Sequence, residues 1–487
     1  MTRREPLAAR LTAVAGALLV LAAPCRDARA YPPDSQLDLT RLTFAPSLTT
    51  GASATAANPE SAPESRGADG ARTDRAVNDK LDAISEEESR DGFFSLDLAH
   101  ELRSLAELYQ ERGEHDRALV VLNRAQQIVR VNEGLYSLDQ APLIRQATSS
   151  REALKQGGAR EWTQNELLTL ASHNPDDPRV AEIYNDAANA RVAKVERFFR
   201  GDDSQFLVKR KEPVAPPGTY SLAALSSGPV RPARSQLDGA RIGVFTSGPV
   251  YVDLPPRTLL ALRALYGARE NYNDAIYVAL SNPTADGPSL RELEVGLVRS
   301  YYIEAQNLKW ILPFQQSPRP RLESLRSRGA ESYQRMLERS EQLGAPLAEI
   351  ATELLELGDW HLVFGAEDVA YDVYRATRDW LLEEGATPDQ LTAFFSPTSP
   401  VVLPTFAAGY VTPDRAADCQ GYITVEIELD GSGKSTQVDV IERSAAATDA
   451  IVQRLKKHIA KSVFRPRFEN GDWLEADRAS LRYYFSY

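Results

Sequence analysis

The strongest pattern along the chain is an apolar stripe at helical spacing. In "LRSLAELYQERGEHDRALVVLNRAQQI", Leu102, Leu105, Ala106 and Tyr109 share one helical face. Gly113 breaks the chain, and Ala118, Leu122 and Ala125 then line one face of a second helix. The small residues Ala106, Ala118 and Ala125 allow close approach, and Tyr109 and Leu122 fill the space around them. The expected product is a helical hairpin whose apolar faces need neighbours. Order is expected to begin near "FFSLDLAHEL", where Ser95 or Asp97 can cap a helix by accepting backbone N–H bonds. "LELGDWHLVFGAEDVAYDVYRATRDWL" repeats the arrangement, with Leu357, Gly358, His361, Gly365, Ala370, Tyr374 and Thr377 at the same offsets. Between the two lie weaker helical pieces. One is a helix–loop–helix around Pro175 and Pro178, and "PPRTLLALRALYGARENYNDAIYVALSNP" reads as a further hairpin. Residues 201–254 are dense in Pro, Gly and Ser and predict an insertion, with strand-like pieces at Ala240–Phe245 and Val250–Val252. A second Pro-rich stretch, 386–409, predicts a linker.

The period then changes from helix to strand. In "GYITVEIELD", Ile423, Val425, Ile427 and Leu429 alternate with Thr424, Glu426 and Glu428. "TQVDVIER" reads as a second strand, and Asp430-Gly-Ser-Gly between them supplies a hairpin turn. The "GKS" at Gly433 imitates a phosphate-binding loop, but the first glycine of that motif would have to stand at Glu428, and a strand follows instead of a helix. "TDAIVQRLKKHIAKS" predicts an amphipathic helix with Ile451, Leu455 and Ile459 on one face. Asn470-Gly471 is a turn signal, and "RASLRYYFSY" is a closing strand with Ala479, Leu481, Tyr483 and Phe485 on one side. The order is ββαβ.

Composition adds a compartment and removes some partners. The first thirty residues read as a cleavable secretory signal. Arg3, Arg4 and Arg10 precede the apolar run Leu11–Ala23, and "ARA" ends at Ala30. Residues 31–90 are rich in Ala, Ser, Pro, Thr and charge and predict a disordered linker. A net charge of −12 argues against nucleic acid as a partner. Cys419 stands alone once Cys25 leaves with the signal, so no disulfide framework is expected. His100, His115, His173, His361 and His458 are scattered without metal-ligand spacing, and no nucleophile elbow occurs. No catalytic, cofactor or metal residue is assigned.

Two resemblances rest on these residues. The two hairpins, at Leu105–Ala125 and Leu357–Thr377, resemble tetratricopeptide repeats. Their separation is not a multiple of the usual repeat of about 34 residues, so the array is irregular; a helical bundle is the other arrangement open to these helices. The C-terminal stretch from about 410 to 487 resembles the C-terminal domain of TonB-type energy transducers. The resemblance runs through Pro413, Ala416, Gly421, Asp430, Gly433, Val438, Val440, Ser444, Phe464, Pro466 and Asn470-Gly471. It implies a periplasmic, non-enzymatic sheet that adds an extended segment of an outer-membrane protein as a strand. True transducers keep an uncleaved anchor and a long Pro-rich spacer, and this chain departs from both.

The expected fold is therefore mainly α. Tetratricopeptide-like helices at 91–200 and 255–385 flank the insertion, and a small α+β domain occupies 410–487. The expected function is a periplasmic scaffold or adaptor for envelope proteins. Its candidate partner-binding edge is the last strand, with Arg478, Ser480, Arg482 and Tyr484. Two other readings stay open: a membrane-anchored energy transducer, if residues 1–30 are retained, and a hydrolase whose carboxylates meet only in space.

Overall fold

A computed structural model describes residues 43–46, 66–201, 220–221, 251–252, 256–283, 287–308, 318–395, 400–407, 416, 419–430, 432–469, 472–473 and 476–486. The described residues are mainly helical, with a small antiparallel sheet built largely from the C-terminal residues. The secretory-signal residues 1–30 and the strand-like piece 240–245 lie outside them. Among them, no helix is long and apolar enough to cross a membrane. The chain divides into two compact units. One comprises Ala54–Ala190 and Glu270–Leu293; the other comprises Met1–Ser53, Arg191–Arg269 and Glu294–Tyr487.

The first unit is led by helices α1 (Arg66–Asp91), α2 (Leu96–Glu111), α3 (His115–Glu133), α4 (Ala141–Ala153) and α5 (Ala159–His173), and α6 (Val180–Phe199) begins in it. Helix α1 corrects the expectation of disorder over the 66–90 part of 31–90. Its Val77 and Ile84, one heptad apart, are buried with Leu98, Leu102, Leu105, Leu122 and Ile128, and Lys80 pairs with Glu101. Two large buried apolar side chains in a polar 26-residue helix leave little trace in composition. Ser95 does occupy the N-cap of α2, but its side chain makes no capping bond. The α2–α3 turn is closed by Gly113, at φ +74°, whose N–H donates to Gln110 O at 2.9 Å while Glu114 N–H donates to Tyr109 O at 2.8 Å.

The second unit contains parts of α7 (Pro256–Ser281) and α8 (Leu290–Gln306), followed by α9 (Arg319–Leu343), α10 (Leu347–Val363), α11 (Glu367–Glu383) and α12 (Pro388–Phe395). The hairpin expected over the first of these is instead one continuous helix. Gly267, inside this helix, serves close approach. A Cβ there would stand 2.8 Å from Arg191 Nη1, which donates to Gly267 O at 2.7 Å. The α10–α11 turn repeats the geometry of α2–α3. Gly365 has φ +72°, its N–H donates to Leu362 O at 2.9 Å, and Ala366 N–H donates to His361 O at 3.0 Å. Gly358 presses on Tyr374, and Gly329 on Trp360, where a Cβ would meet the ring at 2.4 and 2.1 Å. In the insertion, the short strands β2 (Tyr220–Ser221) and β3 (Tyr251–Val252) pair antiparallel.

The C-terminal domain comprises β4 (Val402–Leu403), β5 (Gly421–Asp430), β6 (Ser435–Arg443), α13 (Asp449–Ile459), β7 (Val463–Phe464), β8 (Phe468–Glu469), β9 (Asp472–Trp473) and β10 (Ala476–Ser486). The main sheet has the order β1-β10-β5-β6, where β1 is Thr43–Pro46. Ile451, Leu455 and Ile459 of α13 cover Ile423, Val425, Ile427, Leu481, Tyr483 and Phe485. Glu469 pairs with Asp472 on either side of Asn470-Gly471, which themselves lie outside the described residues.

The stretch 386–409, expected to be a linker, holds α12 and β4. Strand β4 pairs with β7, and alternate residues serve two cores. Val402 and Phe464 join the sheet core, whereas Leu403 joins Leu355, Leu362, Tyr374 and Phe395 among the helices. Arg465 then reaches the helical hairpin. Its Nε donates to Asp359 Oδ1 at 2.8 Å, Nη2 donates to Oδ2, and Tyr374 Oη donates to Oδ1 at 2.7 Å. Burial opposes the charge on Arg465, but the Asp359 carboxylate outweighs it and the guanidinium pKa is raised.

Candidate strand-accepting edge

The turn Asp430–Lys434 sets the register of the sheet. Asp430 Oδ1 accepts from Ser432 N at 2.9 Å, Ser432 Oγ at 2.8 Å and Lys434 N at 2.9 Å. Burial alone would raise the Asp430 pKa, and these bonds reverse the sign and lower it. Gly433 adopts φ +73°, and its carbonyl accepts from Phe464 N at 2.8 Å. The Gly-Lys-Ser segment thus closes a hairpin on a neighbouring backbone.

From this turn the direction of every main-chain group follows. Asp430 N donates to Lys434 O, Thr436 Oγ1 donates to Glu428 O, and Ser444 N donates to Tyr422 O. Even-numbered residues of β5 therefore face β6, and odd-numbered ones face β10. Strand β10 pairs with β5 in unbroken register from Ala476↔Asp430 to Phe485↔Gly421. Antiparallel alternation then turns the peptide groups of Tyr483 and Phe485 toward β5, and those of Arg478, Ser480, Arg482, Tyr484 and Ser486 outward. The first four of these are the residues that sequence pattern singles out.

Their side chains share the solvent face. Arg482 Nε donates to Thr424 Oγ1 at 3.0 Å, and its Nη2 donates to Glu442 Oε2 at 2.8 Å. The Arg482 guanidinium lies 4.4 Å from the centroid of the Tyr422 ring, and the Tyr484 ring is 6.4 Å from the same ring. Tyr422 Oη donates to Glu442 Oε1 at 2.8 Å, which raises the phenol pKa. Arg478 lies 3.4 Å from Glu428, beside a shallow polar depression lined by Glu426, Glu428, Gln437 and Asp439.

The outer side of β10 is not wholly open. Thr43–Pro46 runs antiparallel to it, with Thr43↔Ser486, Phe44↔Phe485, Ala45↔Tyr484 and Pro46↔Tyr483. This corrects the expectation of a free edge at Tyr484. Beyond Tyr483, the outward groups of Arg482, Ser480 and Arg478 face no paired strand among the described residues. Strand β6 forms the other border of the sheet, a feature that sequence pattern did not mark. Two register irregularities interrupt it, opposite Thr424/Val425 and Glu428/Leu429, and the first turns Ile441 out to solvent. Bulges and outward charge are devices that discourage pairing. Strand β10, in contrast, pairs with β5 without a register irregularity.

Other candidate chemistry is internally neutralised. Glu304, fully buried, accepts from Arg321 Nε at 2.7 Å and lies 2.8 Å from Arg269. Burial would raise its pKa, but the two guanidinium groups lower it. Glu294, equally buried, is held by Arg335 Nε and Nη2, each at 2.9 Å. Cys419 is half-buried. Among the described residues, no group of three His, Cys, Asp or Glu side chains is placed to hold a metal ion.

Compared with known proteins, the chain matches no protein-family model, and no curated protein matches it.

Proposed function

We propose that the chain is a non-enzymatic scaffold of the cell envelope, exported to the periplasm, that accepts an extended segment of a partner protein on the outer edge of β10. In this reading the α2–α3 and α10–α11 hairpins are tetratricopeptide-like modules, and the sheet with α13 is a TonB-like domain. The observation that carries it is the regular outer edge of β10, which already accepts a strand along part of its length. The shared glycine turn of the two hairpins supports the repeat reading, and stacked hairpins offer surfaces for further protein segments.

The test uses the full chain and its Ser480→Pro variant. Proline removes an outward N–H and leaves the bonds to β5 intact, as edge strands tolerate. Affinity capture from envelope extract should recover a specific protein with the parent chain, and at least tenfold less of it with the variant. Equal recovery by both rejects the edge as the binding element. Recovery of nothing by either rejects the scaffold reading.

A further inference from the structure

The strand Thr43–Pro46 comes from the far end of the chain, in a segment where composition predicts no order. Its pairing is nevertheless specific. Because Tyr484 and Ser486 face outward, Ala45↔Tyr484 and Thr43↔Ser486 are the hydrogen-bonded pairs, while Phe44↔Phe485 and Pro46↔Tyr483 are the non-bonded ones. Proline has no N–H to give, and it stands where none is needed toward β10. Pro46 is buried, whereas Ala45, on the opposite side of the strand, is half-buried. A register slipped by one residue would meet neither condition.

We infer that Thr43–Pro46 is a built-in, displaceable occupant of the β10 edge, a cis strand that a partner's extended segment must replace. The inference rests on reading β10 as the accepting edge. Among the described residues, the segment engages only the outward groups of Tyr484 and Ser486, whereas a longer incoming strand can also bond those of Arg478, Ser480 and Arg482. An occupant carried on the same chain competes intramolecularly, at an effective concentration that dilution does not lower. It therefore excludes short or poorly matched segments and yields to a strand that spans the whole edge. The shape of ligand it selects is an extended segment longer than four residues, antiparallel to β10.

Two measurements on the full chain test this. The first is residue-resolved amide exchange. It compares the parent with a variant in which Thr43→Gly, Phe44→Ser, Ala45→Gly and Pro46→Ser are combined. In the variant, the Tyr484 and Ser486 amides should exchange at least tenfold faster. Those of Tyr483 and Phe485, bonded to β5, should stay protected. The second is binding of a labelled peptide, RLTFAPSL, matching residues 41–48. It should bind the four-residue variant at least tenfold more tightly than the parent, and adding Tyr484→Pro should abolish that binding. Unchanged exchange at Tyr484 and Ser486 overturns the inference, as does equal peptide affinity for parent and variant. So does protection that appears only with a concentration-dependent dimer, which would assign the occupant to a second copy. Loss of the cis ladder with Ser480-dependent capture retained would remove this inference alone and leave the scaffold reading standing.

Discussion

Replacing Asp359 with Leu tests how the C-terminal domain is fastened to the α10–α11 hairpin. Asp359 is 3% exposed, and its carboxylate holds both the Arg465 guanidinium and the Tyr374 hydroxyl. Removing the carboxylate strands a guanidinium whose side chain is only 12% exposed. Breaking one side of such a pair costs about 3–5 kcal/mol, because the remaining charge is buried without compensation. Arg465→Met should cost a similar amount, since it leaves the carboxylate with the Tyr374 hydroxyl in place of a cation. The double variant removes both charges and should recover most of the loss, ending within about 2 kcal/mol of the parent. Urea unfolding of all four proteins, followed by tryptophan fluorescence, gives the cycle; Trp360 lies one residue from the pair. A single-variant cost below about 1 kcal/mol, or a double-variant loss equal to the sum of the singles, would refute the claim that the two groups form one buried unit.

Two further outcomes follow from local geometry. Gly433→Ala combines a left-handed φ with a Cβ placed 1.9 Å from the Phe464 carbonyl oxygen, so it should cost roughly 2–5 kcal/mol. Gly113→Ala has the same backbone sign and open space and should cost only about 1–2 kcal/mol; equal thermal shifts for the two would show that the Phe464 contact carries nothing. His361 is buried, and burial, followed by the nearby Arg326, pushes its imidazole down to about 4. The unfolded chain titrates near 6.5, so the unfolded state binds more protons between those values. Stability is full above about pH 6.5 and falls as pH drops toward 4, by at most about 3 kcal/mol. His361→Phe should flatten this slope in urea unfolding at pH 7.5 and 5.0, and an unchanged slope assigns the pH dependence elsewhere.

Local patterns in the sequence determined much of this protein. Glycine at the turns of α2–α3 and α10–α11, small residues facing large ones across each hairpin, and the Asp430–Gly433 turn between alternating strands all act within a few tens of residues. Their physics is readable one segment at a time. The alternation of β10 also separated Ala479, Leu481, Tyr483 and Phe485 from Arg478, Ser480, Arg482 and Tyr484. Tertiary structure alone decided the rest. The need for glycine at Gly267 shows only once Arg191 is seen to fill its space. Val77 and Ile84 are too few to announce a helix until α2 and α3 bury them. Asp359 and Arg465, 106 residues apart, carry no mark of partnership. Strand β1 is four residues long in a stretch without periodicity, and only the parity of a sheet edge at the other end of the chain makes a strand of it. Short-range backbone preferences leave a trace in sequence, whereas pairing across the fold costs loop-closure entropy that only the completed surface offsets.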